Sequence, residues 1–321
     1  MKNKKLVIFG PWCGEFCYEL SWWIPEIRKQ RYTTYNDYDA IAVSAHGRNV
    51  LYNDFTTGFV GYGNDLSDTL KYPATYGEHI NGRDIIPENL QIYIKRLADQ
   101  YRHIYDHVEI YMPGRMPITR ERVMSELPYG LYKHYDASTR VTELIKNKIN
   151  FNNNLQTVAV MARIRTRHGK TCYLDWNPEH WKTFIELLIN DLHVNVVMIG
   201  IEQKPGSSAG ASLVFTDSEN IKSIIFKGED SVEEQIALLK QTKCSIYGAS
   251  GTAVFPFFTQ TPTFTQQTIE EGFRLKFQWE RDLTDNLKDI EIFDKYHNNE
   301  IYNSPPIELY ESFKKFYQTL G

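Results

Sequence analysis

Arg163, Arg165, Arg167, His168 and Lys170 all follow Met161 within ten residues. Cations this dense repel one another unless an anion sits among them, and arginine presents a planar fork of donors that matches phosphate oxygens. The cluster follows a short apolar run, Thr157–Met161, so it reads as the mouth of a buried strand with a diphosphate as counter-ion. Two other readings stay open on these residues: a solvated basic loop paired with surface acids, and contact with a nucleic-acid backbone. While strand geometry lasts, alternation sets Arg163, Arg165 and Arg167 on one side. A second anion candidate is Ser250-Gly251-Thr252, where a helix opens after the run Cys244–Tyr247. Free N–H groups and small residues at a helix start admit an anion, and a plain cap is the alternative. Gly200, closing the run at 194–199, is placed in the same set.

A third candidate is a loop, Gly10-Pro11-Trp12-Cys13-Gly14-Glu15-Phe16, after the apolar run Leu6–Phe9. It matches neither the dinucleotide glycine pattern nor the P-loop. A carboxylate at Glu15, flanked by Trp12 and Phe16, is partly desolvated, which raises its proton affinity and suits it to act as a base. The alternative is that Glu15 caps the helix that follows. Trp12, Gly14 and Glu19 form its surroundings, and Arg115 lies on a later basic segment, Met112–Tyr135, with Arg120, Arg122 and Lys133.

Other patterns carry less. Asp37-Tyr38-Asp39 has the spacing of a metal-holding carboxylate pair, yet it precedes its strand and so lies at the wrong end of the sheet. The nine histidines contain no HExxH, and His103 and His107 lack a third ligand, so no metal site is assigned.

The elements that must position these groups repeat a pattern. Short strand-like runs, most of them largely apolar, at 6–9, 41–45, 108–111, 157–161, 194–199, 223–226, 244–247 and 263–265 alternate with helical stretches at 17–30, 88–102, 141–149, 180–192, 231–240 and 307–320. Ser231 with Glu234 has the form of a capping box. Residues 50–80 read as irregular, and 263–265 as the last strand. Buried strands alternating with helices imply parallel, doubly wound sheets. The pattern restarts after the polar breaker around Asn152, so the expected architecture is α/β with two Rossmann-like domains, 1–152 and 153–321, facing a cleft. Ligands of such sheets bind at the carboxyl ends of the strands.

Composition agrees. At about 100–200 residues per domain, 321 residues make two. An apolar share of 42% and a charged share of 24% exclude a disordered chain, a collagen repeat and a coiled coil. A net charge of −4 argues against a protein that coats nucleic acid. No stretch approaches the roughly 18 apolar residues needed to span a bilayer. The run after Lys5 is too short for a signal core, and the four cysteines read as reduced thiols, so a cytoplasmic location is expected.

The arrangement resembles the GT-B glycosyltransferases, and the bacterial heptosyltransferase-like group most of all. Gly14-Glu15 followed by Pro25-Glu26-Ile27-Arg28 is similar to that group's Gly-Asp loop and its Pro-initiated helix, with Glu in place of Asp and a longer spacing. Arg163 to Lys170 with Trp176, Pro178 and Trp181 resembles its basic loop and Trp-Pro helix start, and Ser250-Gly251-Thr252 with Thr261-Pro262-Thr263 its Ser-Gly helix start and following strand. The resemblance implies a metal-independent, inverting transfer of a hexosyl or pentosyl group from a nucleotide sugar, which is substrate rather than cofactor. It implies Glu15 as catalytic base, a donor site from Arg163, Arg165, Arg167, Lys170, Gly200, Ser250, Gly251 and Thr252, and an acceptor site with Trp12, Gly14, Glu19 and Arg115. It also implies a terminal helix that crosses back onto the first domain. The acceptor is a glycan or small molecule, or a hydroxymethylated base in phage DNA. The rival is a nucleotide-binding module or a sugar-nucleotide epimerase without transfer.

Overall fold

The computed structural model describes residues 4–13, 16, 19–62, 86, 88–113, 130–164, 166–167, 170–171, 175–201, 211–226, 231–248, 251–266, 290–293 and 305–321, with backbone alone at 166–167, 170–171, 211, 251–254, 266 and 290–293. The chain divides into two compact units, Met1–Tyr132 and Lys133–Gly321.

The first unit holds four strands, β1 (Lys5–Phe9), β2 (Asp39–Ala45), β3 (Gly58–Tyr62) and β4 (His107–Tyr111), and two helices, α1 (Ile24–Tyr32) and α2 (Glu88–Tyr101). All strands are parallel, in the order β3-β2-β1-β4. Leu6, Val7, Ile8 and Phe9 are fully buried, as a central strand covered on both faces requires. Leu90, Ile94 and Ala98, spaced at i, i+4 and i+8 along α2, close over Leu6, Ile8 and Val43. A π-helical turn, Glu19–Trp23, leads into α1, whose second residue is Pro25. There the missing N–H costs no helical bond.

Gly10 ends β1 at φ 127°, and a Cβ there would lie 2.4 Å from the Val43 carbonyl oxygen. Both the dihedral and the space demand glycine. Gly10→Ala is therefore expected to destabilise the protein by about 2 kcal/mol or more, read as a lower midpoint in urea unfolding.

The second unit opens with α3 (Thr139–Lys148) and β5 (Thr157–Ile164), then a small hairpin of β6 (Thr166–Arg167) and β7 (Lys170–Thr171). Next come α4 (Pro178–Asn190), β8 (Asn195–Ile201), β9 (Ala211–Leu213), β10 (Ile221–Phe226), α5 (Val232–Leu239) and β11 (Cys244–Tyr247). A 3-10 helix (Gly251–Thr259), β12 (Thr263–Gln266), β13 (Ile290–Phe293) and α6 (Pro306–Thr319) complete it. The strand order is β10-β8-β5-β11-β12-β13, all parallel, with β9 antiparallel to the end of β5. Trp176, Trp181 and Phe184 interlock with Tyr310, Phe313 and Phe264, and Trp176 meets Trp181 edge-on at 4.9 Å.

Several sequence expectations change here. The units part between Tyr132 and Lys133, whereas the polar breaker had put the division at residue 152. Residues 133–152 belong with the second unit because α3 is tied to α5: Ser138 N–H donates to Glu233 at 2.9 Å, and Gln241 donates to the Thr142 carbonyl at 3.1 Å. The terminal helix was expected to cross back to the first domain. Its apolar face, Leu309, Tyr310, Phe313 and Phe316, is instead buried in the core of the second unit. β3 lies in the stretch read as irregular, because Gly58 and Gly61 break its apolar run. β12 is not the last strand, since β13 pairs beside it. Ser231 stands at the N-cap of α5 without a side-chain cap bond, so the capping box does not form.

Candidate functional site

In the second unit, β5, β8 and β10 step outward in one direction, and β11, β12 and β13 in the other. The order reverses between β5 and β11, and a parallel α/β sheet opens its ligand crevice at the carboxyl ends of the strands flanking such a reversal. Met161 pairs with Tyr247 across this boundary, and Gly248 N–H donates to the Met161 carbonyl at 3.2 Å. The basic segment that leaves β5 and the small residues that leave β11 therefore start from adjacent strand ends. That adjacency is a consequence of strand order.

Details differ from the simple alternation. β5 ends at Ile164, so one strand does not carry Arg163 through Arg167. Arg163, half-buried, faces Ser212 of β9, while Arg167 pairs opposite Lys170 in the β6–β7 hairpin. The 3-10 helix begins at Gly251, directly after the β11 exit, with Thr252 in its first turn and Pro256 inside it. Arg165 and Ser250 lie outside the described residues. Gly200 changes role: a Cβ there would lie 3.0 Å from Val214 and 3.1 Å from Ile225 side-chain carbons. It lets β8 pack closely against both.

The first unit has its own reversal, between β1 and β4, where Gly10 N–H donates to the Tyr111 carbonyl at 2.9 Å. The loop with Glu15 leaves β1 at this point, and the segment with Arg115 leaves β4. Gly14, Glu15 and Arg115 lie outside the described residues. Trp12 does not offer a ring face to an acceptor. It is 2% exposed, stacked on Trp23 at 5.8 Å and 17° and tilted against Trp22.

Glu19 also departs from its expected role in acceptor binding. It is fully buried, and its carboxylate accepts from Ser44 Oγ, the Tyr52 hydroxyl and the Arg48 guanidinium. Burial opposes the charge on Arg48, and Glu19 beside it outweighs that, holding the guanidinium above its ordinary value. Burial, aided by Glu19, likewise pushes the Tyr52 phenol well up. The group is thus a neutralised internal ion pair with satisfied oxygens. Its partners leave the carboxyl end of β2, and sequence reasoning missed them. The available signal was Glu19 itself, a carboxylate among Leu20, Trp22 and Trp23 that needs a buried cation.

Arg28 has a comparable position. Fully buried, it donates to the Leu131 carbonyl and, at 3.0 Å, to Asp54, and it lies 4.7 Å from the Phe55 ring centroid. The Tyr132 hydroxyl reaches the Ser21 carbonyl at 2.9 Å. The chain returning from the segment after β4 is therefore anchored on the same helical stretch that carries Glu19. Burial pushes the Cys13 thiol up to about 12, which leaves it protonated and poor as a nucleophile. Asp37 pairs with Lys5 at 2.7 Å and Asp39 accepts from Tyr105 at 2.9 Å, both at the amino end of the sheet, away from the reversal. Among the described residues no group of three side chains suits a metal ion, and no helix is long and apolar enough to cross a membrane.

No family model matches the sequence, and no curated protein sequence matches it. Solved structures do. The chain is similar to ADP-heptose LPS heptosyltransferase II of E. coli, with a TM-score of 0.57 at 11% identity over 98% of this chain and 99% of that one. It is also similar to a glycosyl transferase family 9 protein of Veillonella parvula, with a TM-score of 0.54 at 10% identity over 99% and 98%. E. coli heptosyltransferase WaaC with ADP follows at 0.50 and 10%, over 99% and 100%. With near-complete coverage and two Rossmann-like units, the fold is that of the GT-B glycosyltransferases.

Proposed function

We propose that this protein is a glycosyltransferase that moves a sugar from a nucleotide-sugar donor to an acceptor hydroxyl. The observation that carries the reading is that a basic segment and a helix start built from small residues follow adjacent strands, at the β5–β11 reversal. A nucleoside diphosphate carries charge complementary to this basic segment, and the GT-B fold of heptosyltransferases, one of them solved with ADP, supports such a donor.

In this reading Arg163, Arg165, Arg167 and Lys170, with the backbone N–H groups near Gly251 and Thr252, hold the diphosphate. Glu15 takes the proton of the acceptor hydroxyl, and the oxygen attacks the anomeric carbon. The bond from that carbon to the diphosphate breaks, and its electron pair leaves with the nucleoside diphosphate. Attack opposite the leaving group inverts the anomeric centre. The fixed cations do the charge stabilisation that a metal does elsewhere, and no separate cofactor enters the scheme. The acceptor is a glycan or small molecule, which the net charge of −4 favours over a DNA backbone.

A thermal-shift panel of nucleoside diphosphates and sugar nucleotides tests the donor site. A bound nucleotide at about 100 times its Kd adds about 2.7 kcal/mol of stability. No response to any member of the panel rejects the reading. Arg165→Ala is expected to weaken nucleoside diphosphate binding by roughly 10- to 100-fold, the worth of a hydrogen bond to a charged group. Calorimetric titration measures it, and an unchanged affinity removes Arg165 from the donor site.

A further inference from the structure

We infer that Tyr62 and Arg48 are positioning residues for the acid-bearing loop of the first unit. The inference rests on the reading of Glu15 as the base. Two described contacts hold the loop before and after that acid. Ahead of it, the Tyr62 hydroxyl, from the end of β3, donates to the Trp12 carbonyl, while Trp12 N–H donates to the Val43 carbonyl at 2.9 Å. Behind it, Arg48 binds the Glu19 carboxylate and lies 5.2 Å from the Phe16 ring centroid. Trp12, Phe16 and Glu19 are each at most 5% exposed, so both clamps lie in the protein interior.

The clamps have different origins but one location. Ser44, Arg48 and Tyr52 leave the carboxyl end of β2, and Tyr62 closes β3 beside it, with Ala45 paired to Tyr62. Glu15 stands three residues after Trp12 and four before Glu19. Described residues on either side of Glu15 are thus held by interior contacts, and such support is how a scaffold keeps a general base within reach of a proton. The Tyr62 hydroxyl donates directly to the backbone of the loop, at the Trp12 carbonyl.

Tyr62→Phe tests this, because it removes one hydroxyl and leaves the buried ring. Its kcat for sugar transfer is expected to fall roughly tenfold, with the acceptor KM and the nucleoside diphosphate affinity unchanged. Amide hydrogen exchange over residues 13–19 is expected to quicken roughly tenfold while β1 stays protected. Tyr105→Phe is the control. It deletes a comparable hydroxyl bond, to Asp39, at the amino end of β2, and should leave both readouts as in the wild type. Unchanged exchange over 13–19 in Tyr62→Phe overturns the clamp whatever the activity. Faster exchange with wild-type kcat, in a chain that Glu15→Gln inactivates, overturns its catalytic role. A wild-type chain that transfers no sugar overturns the glycosyltransferase reading, and with it the positioning role. The exchange experiment then still decides whether Tyr62 holds the loop.

Discussion

Glu15→Gln is expected to slow sugar transfer by roughly 10²–10⁴-fold, the usual contribution of a general base. Glutamine keeps the size and hydrogen-bonding reach of the side chain but cannot accept the hydroxyl proton. The oxygen must then attack while still protonated, and the barrier rises accordingly. Donor affinity should stay at the wild-type level, since the diphosphate is assigned to residues of the second unit. Steady-state transfer assays beside nucleotide titration separate the two effects. Transfer that survives in the variant would place the base elsewhere, and a joint loss of binding would show that the loop serves the donor as well.

Arg48→Met is expected to destabilise the first unit by about 3–5 kcal/mol. The reason is the group left behind. Glu19 is fully buried, and its carboxylate loses the cation that makes its ionised form tolerable in the interior. Ser44 and Tyr52 remain as neutral donors and cannot replace the charge. A buried carboxylate without its cation is costly, and that cost lowers the unfolding free energy. The double variant Glu19→Met with Arg48→Met is expected to recover much of the loss, because a buried pair replaced as a whole is often nearly neutral. Urea unfolding of Arg48→Met, Glu19→Met and the double variant decides between a charge effect and a packing effect. A double variant as unstable as the sum of the two singles would mean that shape, not charge, governs this interior.

Much of the fold was legible in the chain. The runs at Leu6–Phe9, Val158–Met161 and Val196–Ile199 are continuous and apolar, and only strands covered on both faces bury such residues. Between them the helical spacing of Leu90, Ile94 and Ala98 and of Trp181, Phe184, Ile185 and Leu188 marks the covering helices. These signals are local, so they survive in the sequence. The glycine-interrupted β3 and the isolated β13 had too little local signal, and pairing with neighbours made strands of them.

For the site, residue types and spacing alone determined that a dense cationic segment follows one buried strand and that small residues follow another. They also put Glu15 six residues beyond the end of the apolar run Leu6–Phe9. Only the tertiary structure decided that β5 and β11 are neighbours, since strand order is set by pairing between distant segments. It also decided the fate of Glu19. Whether a carboxylate faces solvent, substrate or an internal partner depends on what packs against it, and its cation stands 29 residues away along the chain. Gly200 follows the same rule: the Val214 and Ile225 side chains that crowd its Cβ position come from later segments.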